Sequence, residues 1–146
     1  AQNVGAGKED RARKAMRTGM LLGVTIGIFV TALSFFRGDI PSALFTGNQA
    51  FIARSAEYLK GFAPEAILTC LVFSYIGYFN GHGKTIPVMV QGISASFLVR
   101  VPLSYLFSIQ KGATLTTIGY AVPLASVYGI IFFTICYLVF LRKMKK

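Results

Sequence analysis

The chain has 146 residues, enough for one ordinary domain, yet 54% of them are hydrophobic and only 14% are charged. A soluble domain of that size cannot bury so much apolar surface, which excludes an ordinary soluble enzyme or binding module. The net charge of +10 would suit a nucleic-acid binder, but the charges are not placed as such a surface needs them.

Residues 18–36 (TGMLLGVTIGIFVTALSFF) carry no charge, and the first predicted span runs from about Met16 to Phe36. At 1.5 Å per residue, about 20 residues cross the ~30 Å hydrocarbon core of a bilayer. The stretch is too long for a signal peptide, and no small-residue cleavage pattern follows it. The segment before it, AQNVGAGKEDRARKAMR, starts without Met and reads as a loop after an earlier element. The chain is therefore expected to be the C-terminal piece of a longer protein.

The next connection, 37–61, is the longest polar stretch. Within it Gln49–Lys60 has helical spacing, with Phe51, Ile52, Ala56 and Leu59 on one stripe and Arg54, Glu57 and Lys60 opposite. Asn48 is its predicted cap. A short helix at the membrane surface and an extension of the following span both fit this pattern.

The second span is predicted from about Gly61 to Phe79 and ends in GYFNGHGKTIP, residues 77–87. Gly83-Lys84-Thr85 are the last letters of a phosphate-binding loop, but the glycine required five positions earlier is Tyr78, and no strand precedes it. A tight glycine turn between two spans fits instead, with Thr85 as predicted N-cap and Pro87 in the first helical turn. The third span is predicted over Thr85–Phe107, with Arg100 its single charge, and the fourth over Thr117–Leu141. The fold class is all-α, a polytopic transmembrane bundle of four spans forming one membrane domain over 1–146.

Four crossings put the N-terminal segment, the 78–85 turn and the C-terminal tail on one side. That side holds ten basic residues, Lys8, Arg11, Arg13, Lys14, Arg17, Lys84, Arg142, Lys143, Lys145 and Lys146. The other holds Arg37, Arg54, Lys60 and Lys111. The positive-inside rule makes the richer side, with both chain ends, cytoplasmic, and the charge reads as membrane topology rather than nucleic-acid binding. Tyr58, Tyr105 and Tyr120 fall near one interface and Tyr75, Tyr78 and Tyr137 near the other, as an aromatic belt requires. Membrane lipids are the first expected partner.

The polar residues within the spans carry the chemistry. Arg100 lies ~21 Å along the third span from Ile86, and a central Arg costs roughly 2.5–3.5 kcal/mol to insert. Gly92, Ser96, Arg100 and Ser104 recur every four positions, a stripe facing neighbouring helices or a watery cavity, with Pro102 beside it to bend the helix. Arg100 either snorkels or pairs with a carboxylate, or it acts directly on a substrate or gate. Glu65, one position after Pro64, is the only acidic residue at membrane depth. Low dielectric favours its protonated form, its oxygens suit Na⁺, and a helix N-terminus favours its charge. A Glu65–Arg100 pair would offset the burial of both. Gln91 and Ser94 either line a pathway or bond to a neighbouring helix. The single His82 is expected to be solvated in its turn. Cys70 and Cys136 read as packing residues. No Ser/His/Asp grouping, paired carboxylates or Cys/His spacing supports an enzyme or a metal site, and no cofactor is expected.

AQNVGAGKEDRARKA before a span resembles the loop before the third helix of each half in the multidrug and toxic compound extrusion (MATE) family. GYFNGHGKTIPVMVQGISASFLVRVPLSYLFS resembles that family's tenth-helix, loop and eleventh-helix region. The resemblance implies the last four of twelve helices, arranged in two six-helix bundles, with the first eight helices as missing partners. It implies efflux of cationic amphiphilic small molecules from the cell by alternating access, in exchange for H⁺ or Na⁺. Glu65 is then the cation-coupling candidate, and Tyr75, Gln91, Ser94 and Tyr128 are candidates to line the cavity. The alternatives are a lipid-linked sugar flippase of the same superfamily, which would need a more cationic cavity, or a small membrane scaffold that transports nothing.

Overall fold

A computed structural model describes residues 1–144. Lys145 and Lys146 of the basic tail lie outside the described residues. The order is α1 (Gln2–Gly5), α2 (Glu9–Phe36), α3 (Asp39–Ala43), α4 (Gln49–Phe62), α5 (Glu65–Gly81), α6 (Thr85–Ser94), a π-helical turn (Ala95–Arg100), α7 (Val101–Ser108), α8 (Leu115–Gly119) and α9 (Ala121–Met144). No strand occurs among the described residues, and the fold is an all-α bundle. Among the described residues, three helical stretches are long and apolar enough to cross a membrane: Glu9–Phe36, Thr85–Ser108 and Leu115–Arg142. The bent pair Gln49–Phe62 and Glu65–Gly81, whose axes differ by 53°, has the length and apolarity for a fourth if the two helices form one broken span.

That bend corrects the expected start of the second span. The helix beginning at Gln49 runs through Gly61, and the new helix begins at Glu65, after Pro64. Proline has no N–H to continue the ladder and crowds the preceding turn, so the chain breaks there and not at Gly61. The Thr31 hydroxyl donates to the Ala63 carbonyl at 2.9 Å, tying the bend to α2. Asn48 caps α4 as expected: its side-chain oxygen accepts from the Ala50 and Phe51 amides. At the other end of α5, Gly83 takes φ +66°, the left-handed conformation glycine adopts without cost. Thr85 is the first residue of α6, not its cap, and the position before it is Lys84.

The central layer is α5 against α9. Phe79 and Phe133 are fully buried there, their rings stacked at 5.6 Å, and Tyr75 also stacks on Phe133. Helix α2 packs along α5, and the α6–α7 stretch packs along α9. Side chains that thin the α2 seam let the backbones approach: a Cβ at Gly27 would stand 2.9 Å from the Ala66 carbonyl and the Ile67 Cα. In lipid, where apolar burial does not drive helices together, such close packing and interhelical hydrogen bonds hold a bundle. Leu21, Leu22, Phe29, Phe97 and Leu98 point outward and are more than half exposed, as a lipid-facing exterior requires.

Pro102 acts by widening rather than bending. It sits in the first turn of α7, and its ring would press on the carbonyl four residues back, at Leu98. Leu98 lies inside the π-helical turn, whose wider ring accommodates that clash.

Candidate functional site

Glu65 opens α5, where the helix dipole favours an anion, although the Ala66, Ile67 and Leu68 amides already donate to the Ala63 and Pro64 carbonyls. It is only 6% exposed. Its Oε1 accepts from the Thr69 hydroxyl at 2.6 Å, one helical turn along, and from the Ser126 hydroxyl of α9 at 2.8 Å. Its Oε2 is buried and has no hydrogen-bond partner among the described residues. One carboxylate oxygen is thus held by two hydroxyls while the other is left without a partner among the described residues.

Two clefts adjoin this carboxylate. The larger, about 580 Å³, is lined by Glu65, Thr69 and Ala66 of α5, by Tyr58 and Phe62 of α4, and by Arg100 and Ser104. The smaller, about 170 Å³, places Glu65 with Gln91, Gly92, Ser96, Ser126 and again Arg100. The four-residue stripe therefore does share one side. In a regular α-helix a repeat of four drifts by about 40° per step, and the wider π-helical turn between Ser96 and Arg100 takes up part of that drift.

The expected Glu65–Arg100 pair is not formed. Among the described residues no ion pair or hydrogen bond involves the Arg100 side chain, which is exposed. Of the cavity-lining candidates only Gln91 reaches the clefts; it is buried over Gly129, where a Cβ would stand 2.6 Å from its amide nitrogen. Tyr128 donates to the Ser94 hydroxyl at 2.9 Å, joining α9 to α6, and Ser94 donates to the Val90 carbonyl. The Tyr75 hydroxyl meets Thr134 at 3.2 Å within the aromatic layer. These three are interhelical contacts because long aromatic side chains in a bundle reach their neighbours before they reach open space.

Sequence reasoning missed Thr69, Ser126, Tyr58 and Phe62. Thr69 had a signal in its i+4 spacing from Glu65. Ser126 is 61 positions away, and nothing local marked it.

His82 is not the solvated residue expected. One ring nitrogen, Nδ1, lies 2.8 Å from the Tyr78 carbonyl, and Nε2 lies 2.7 Å from Glu9 Oε2. Both partners are acceptors, so both bonds are made only when the ring carries two protons. Tyr78 and Arg13 donate to Glu9 Oε1, completing a cluster that joins the base of α2 to the glycine turn. Partial burial raises the Glu9 pKa, but the bonds from Tyr78, His82 and Arg13 outweigh it and hold the carboxyl below its ordinary value.

The MatE family model matches residues 1–106, which include both Glu65 and Arg100. The chain belongs to the MATE family. It is 30% identical over 105 residues to the multidrug resistance protein PmpM of Pseudomonas aeruginosa, an alignment covering 72% of this chain and 22% of that protein. The chain thus spans about a fifth of the length of that relative. No solved structure matches. Membership, with three to four spans, makes this a multi-pass membrane protein of a transporter family.

Proposed function

We propose that this chain forms the C-terminal four helices of a MATE exporter that expels cationic amphiphilic molecules across the cell membrane in exchange for H⁺ or Na⁺. The remaining helices of the transporter complete the two opposed bundles that alternating access requires. Both chain ends lie in the cytoplasm, on the side with most of the basic residues. Glu65 is the coupling carboxylate in this reading, and Ser126 and Thr69 position it. PmpM, 30% identical over 105 residues, is named a multidrug resistance protein.

The observation that carries the proposal is the buried, unpartnered Oε2 of Glu65, a residue that lines two clefts. An uncompensated carboxylate out of water is costly, so the site favours a bound proton or a hard monovalent cation with oxygen ligands. The test is ethidium efflux from everted vesicles bearing the whole transporter, driven by imposed Na⁺ or proton gradients, with Glu65→Gln beside wild type. Gradient-driven efflux lost in the variant at equal expression supports the coupling role, and the effective gradient names the ion. Efflux that survives in the variant removes Glu65 from coupling. Wild-type protein that moves no cation under either gradient favours the flippase reading.

A further inference from the structure

A carboxylate that exchanges its cation in each cycle faces a problem at the moment of release. Bare and buried, Glu65 would bear the full cost of an unpaired charge. The surroundings contain one permanent positive charge that can relieve it. Of the residues lining the two clefts, only Tyr58, Glu65 and Arg100 ionise. Arg100 lines both clefts, has no partner among the described residues, and closes a π-helical turn, a feature that commonly marks functional positions. Two uncompensated opposite charges thus share one pair of clefts without touching.

We propose that Arg100 is a tethered counter-ion that alternates with the coupling cation at Glu65. When the cation leaves, the guanidinium crosses the cleft to the unpartnered Oε2; a returning Na⁺ or proton displaces it. The arrangement described above, with Oε2 free and Arg100 withdrawn, is the cation-receptive half of this exchange. Nothing covalent changes: one ion pair forms as one cation departs. Arg suits the role because it stays charged under all conditions and its planar fork matches a carboxylate. The inference rests on Glu65 being the coupling site.

A tethered competitor lowers apparent cation affinity by the fraction of time it leaves the site open. If Arg100 holds Glu65 four-fifths of the time in the cation-free protein, its removal lowers the half-saturating cation concentration about fivefold. It also slows turnover, because release loses its replacement charge. The experiment uses the whole transporter in proteoliposomes, with dye efflux as a function of Na⁺ or proton concentration. Cation-dependent thermal stabilisation of the purified protein serves as a readout independent of transport. Wild type is compared with Arg100→Gln, Arg100→Lys and Glu65→Gln, and Arg100→Met serves if the glutamine variant does not accumulate, since it suits an apolar exterior. The expected result is a half-saturating concentration lowered about fivefold with reduced maximal rate in the Gln or Met variant, and a return toward wild type in Lys. An unchanged or higher half-saturating concentration in those variants, with Glu65→Gln abolishing cation dependence, overturns the exchange and leaves the coupling site standing. Cation dependence that persists in Glu65→Gln overturns both.

Discussion

The seam between α2 and α5 predicts that two glycines on one helix face respond oppositely to the same change. Gly19, Gly23 and Gly27 recur every four positions along α2. A Cβ at Gly19 would meet nothing within 4 Å, whereas one at Gly27 would stand 2.9 Å from two backbone atoms of α5, against 3.4–4 Å for ordinary contact. Backbone cannot rotate away as a side chain can, so α2 must retreat from α5. Replacing either glycine by alanine gains up to about 1 kcal/mol of helix propensity, a term common to both that cancels in the comparison. Forcing a methyl into packed backbone costs about 1–3 kcal/mol. Gly27→Ala is therefore expected to be less stable than Gly19→Ala by about 1–3 kcal/mol, read as the difference in unfolding midpoints in detergent. Because Ala66 directly follows Glu65, the same displacement disturbs the Glu65–Ser126 bond, and gradient-driven efflux falls in Gly27→Ala alone. Equal midpoints and equal efflux for the two variants would refute the close-packing account of this seam.

Two further outcomes follow from local contacts. Asn48→Ala removes the side-chain acceptor for two amides of α4 and is expected to cost about 1 kcal/mol, seen as faster amide exchange at Ala50 and Phe51, while Asn48→Asp keeps protection. The Glu9 cluster gives a pH dependence: the Glu9 pKa is depressed in the folded state, so the contribution of its carboxylate to holding the glycine turn is present above the ordinary carboxyl range and is lost as pH falls through the lowered value. Protection of the amides at residues 82–84 should fall in wild type as the pH drops below the ordinary carboxyl range, and should already be low at neutral pH in Glu9→Gln; protection in wild type that does not change on acidification would count against this linkage.

The periodicity of apolar residues made the spans legible, because uncharged runs of about 20 residues have few other uses. Glu65 and Arg100 stood out for the same reason, as charges where charges are expensive. Their partners were less visible. Ser126 looks like any small residue of an apolar helix until α9 is laid beside α5, and the Gly23/Gly27 seam has meaning only once Cys70 and Ala66 are known to face it. His82 was misread since its acceptor, Glu9, lies 73 positions away across the bundle. The Glu65–Arg100 pair, reasonable from depth alone, ignored the direction of the side chains, and the hydroxyls of Thr69 and Ser126 reached the carboxylate first.

One signal joins these residues and lies in the prolines. Glu65 follows Pro64 by one residue, Arg100 precedes Pro102 by two, and Ser126 follows Pro123 by three. Each proline stands at an irregularity of a span: the 53° bend, the junction of the π-helical turn with α7, and the first turn of α9 after the break at Tyr120. Within a membrane, irregular backbone is tolerated only where neighbouring protein or a watery cleft satisfies the freed groups. The same places admit a charged side chain at least cost, since the clefts there supply hydroxyls and room for a small cation. Pro64 and Pro102 thus do more than interrupt helices: they open, on facing spans, the space in which Glu65 and Arg100 can exchange partners. Replacing Pro64 by alanine should straighten α4 into α5 and carry Glu65 away from Ser126. Efflux should then lose its gradient dependence even though every ligand is still present.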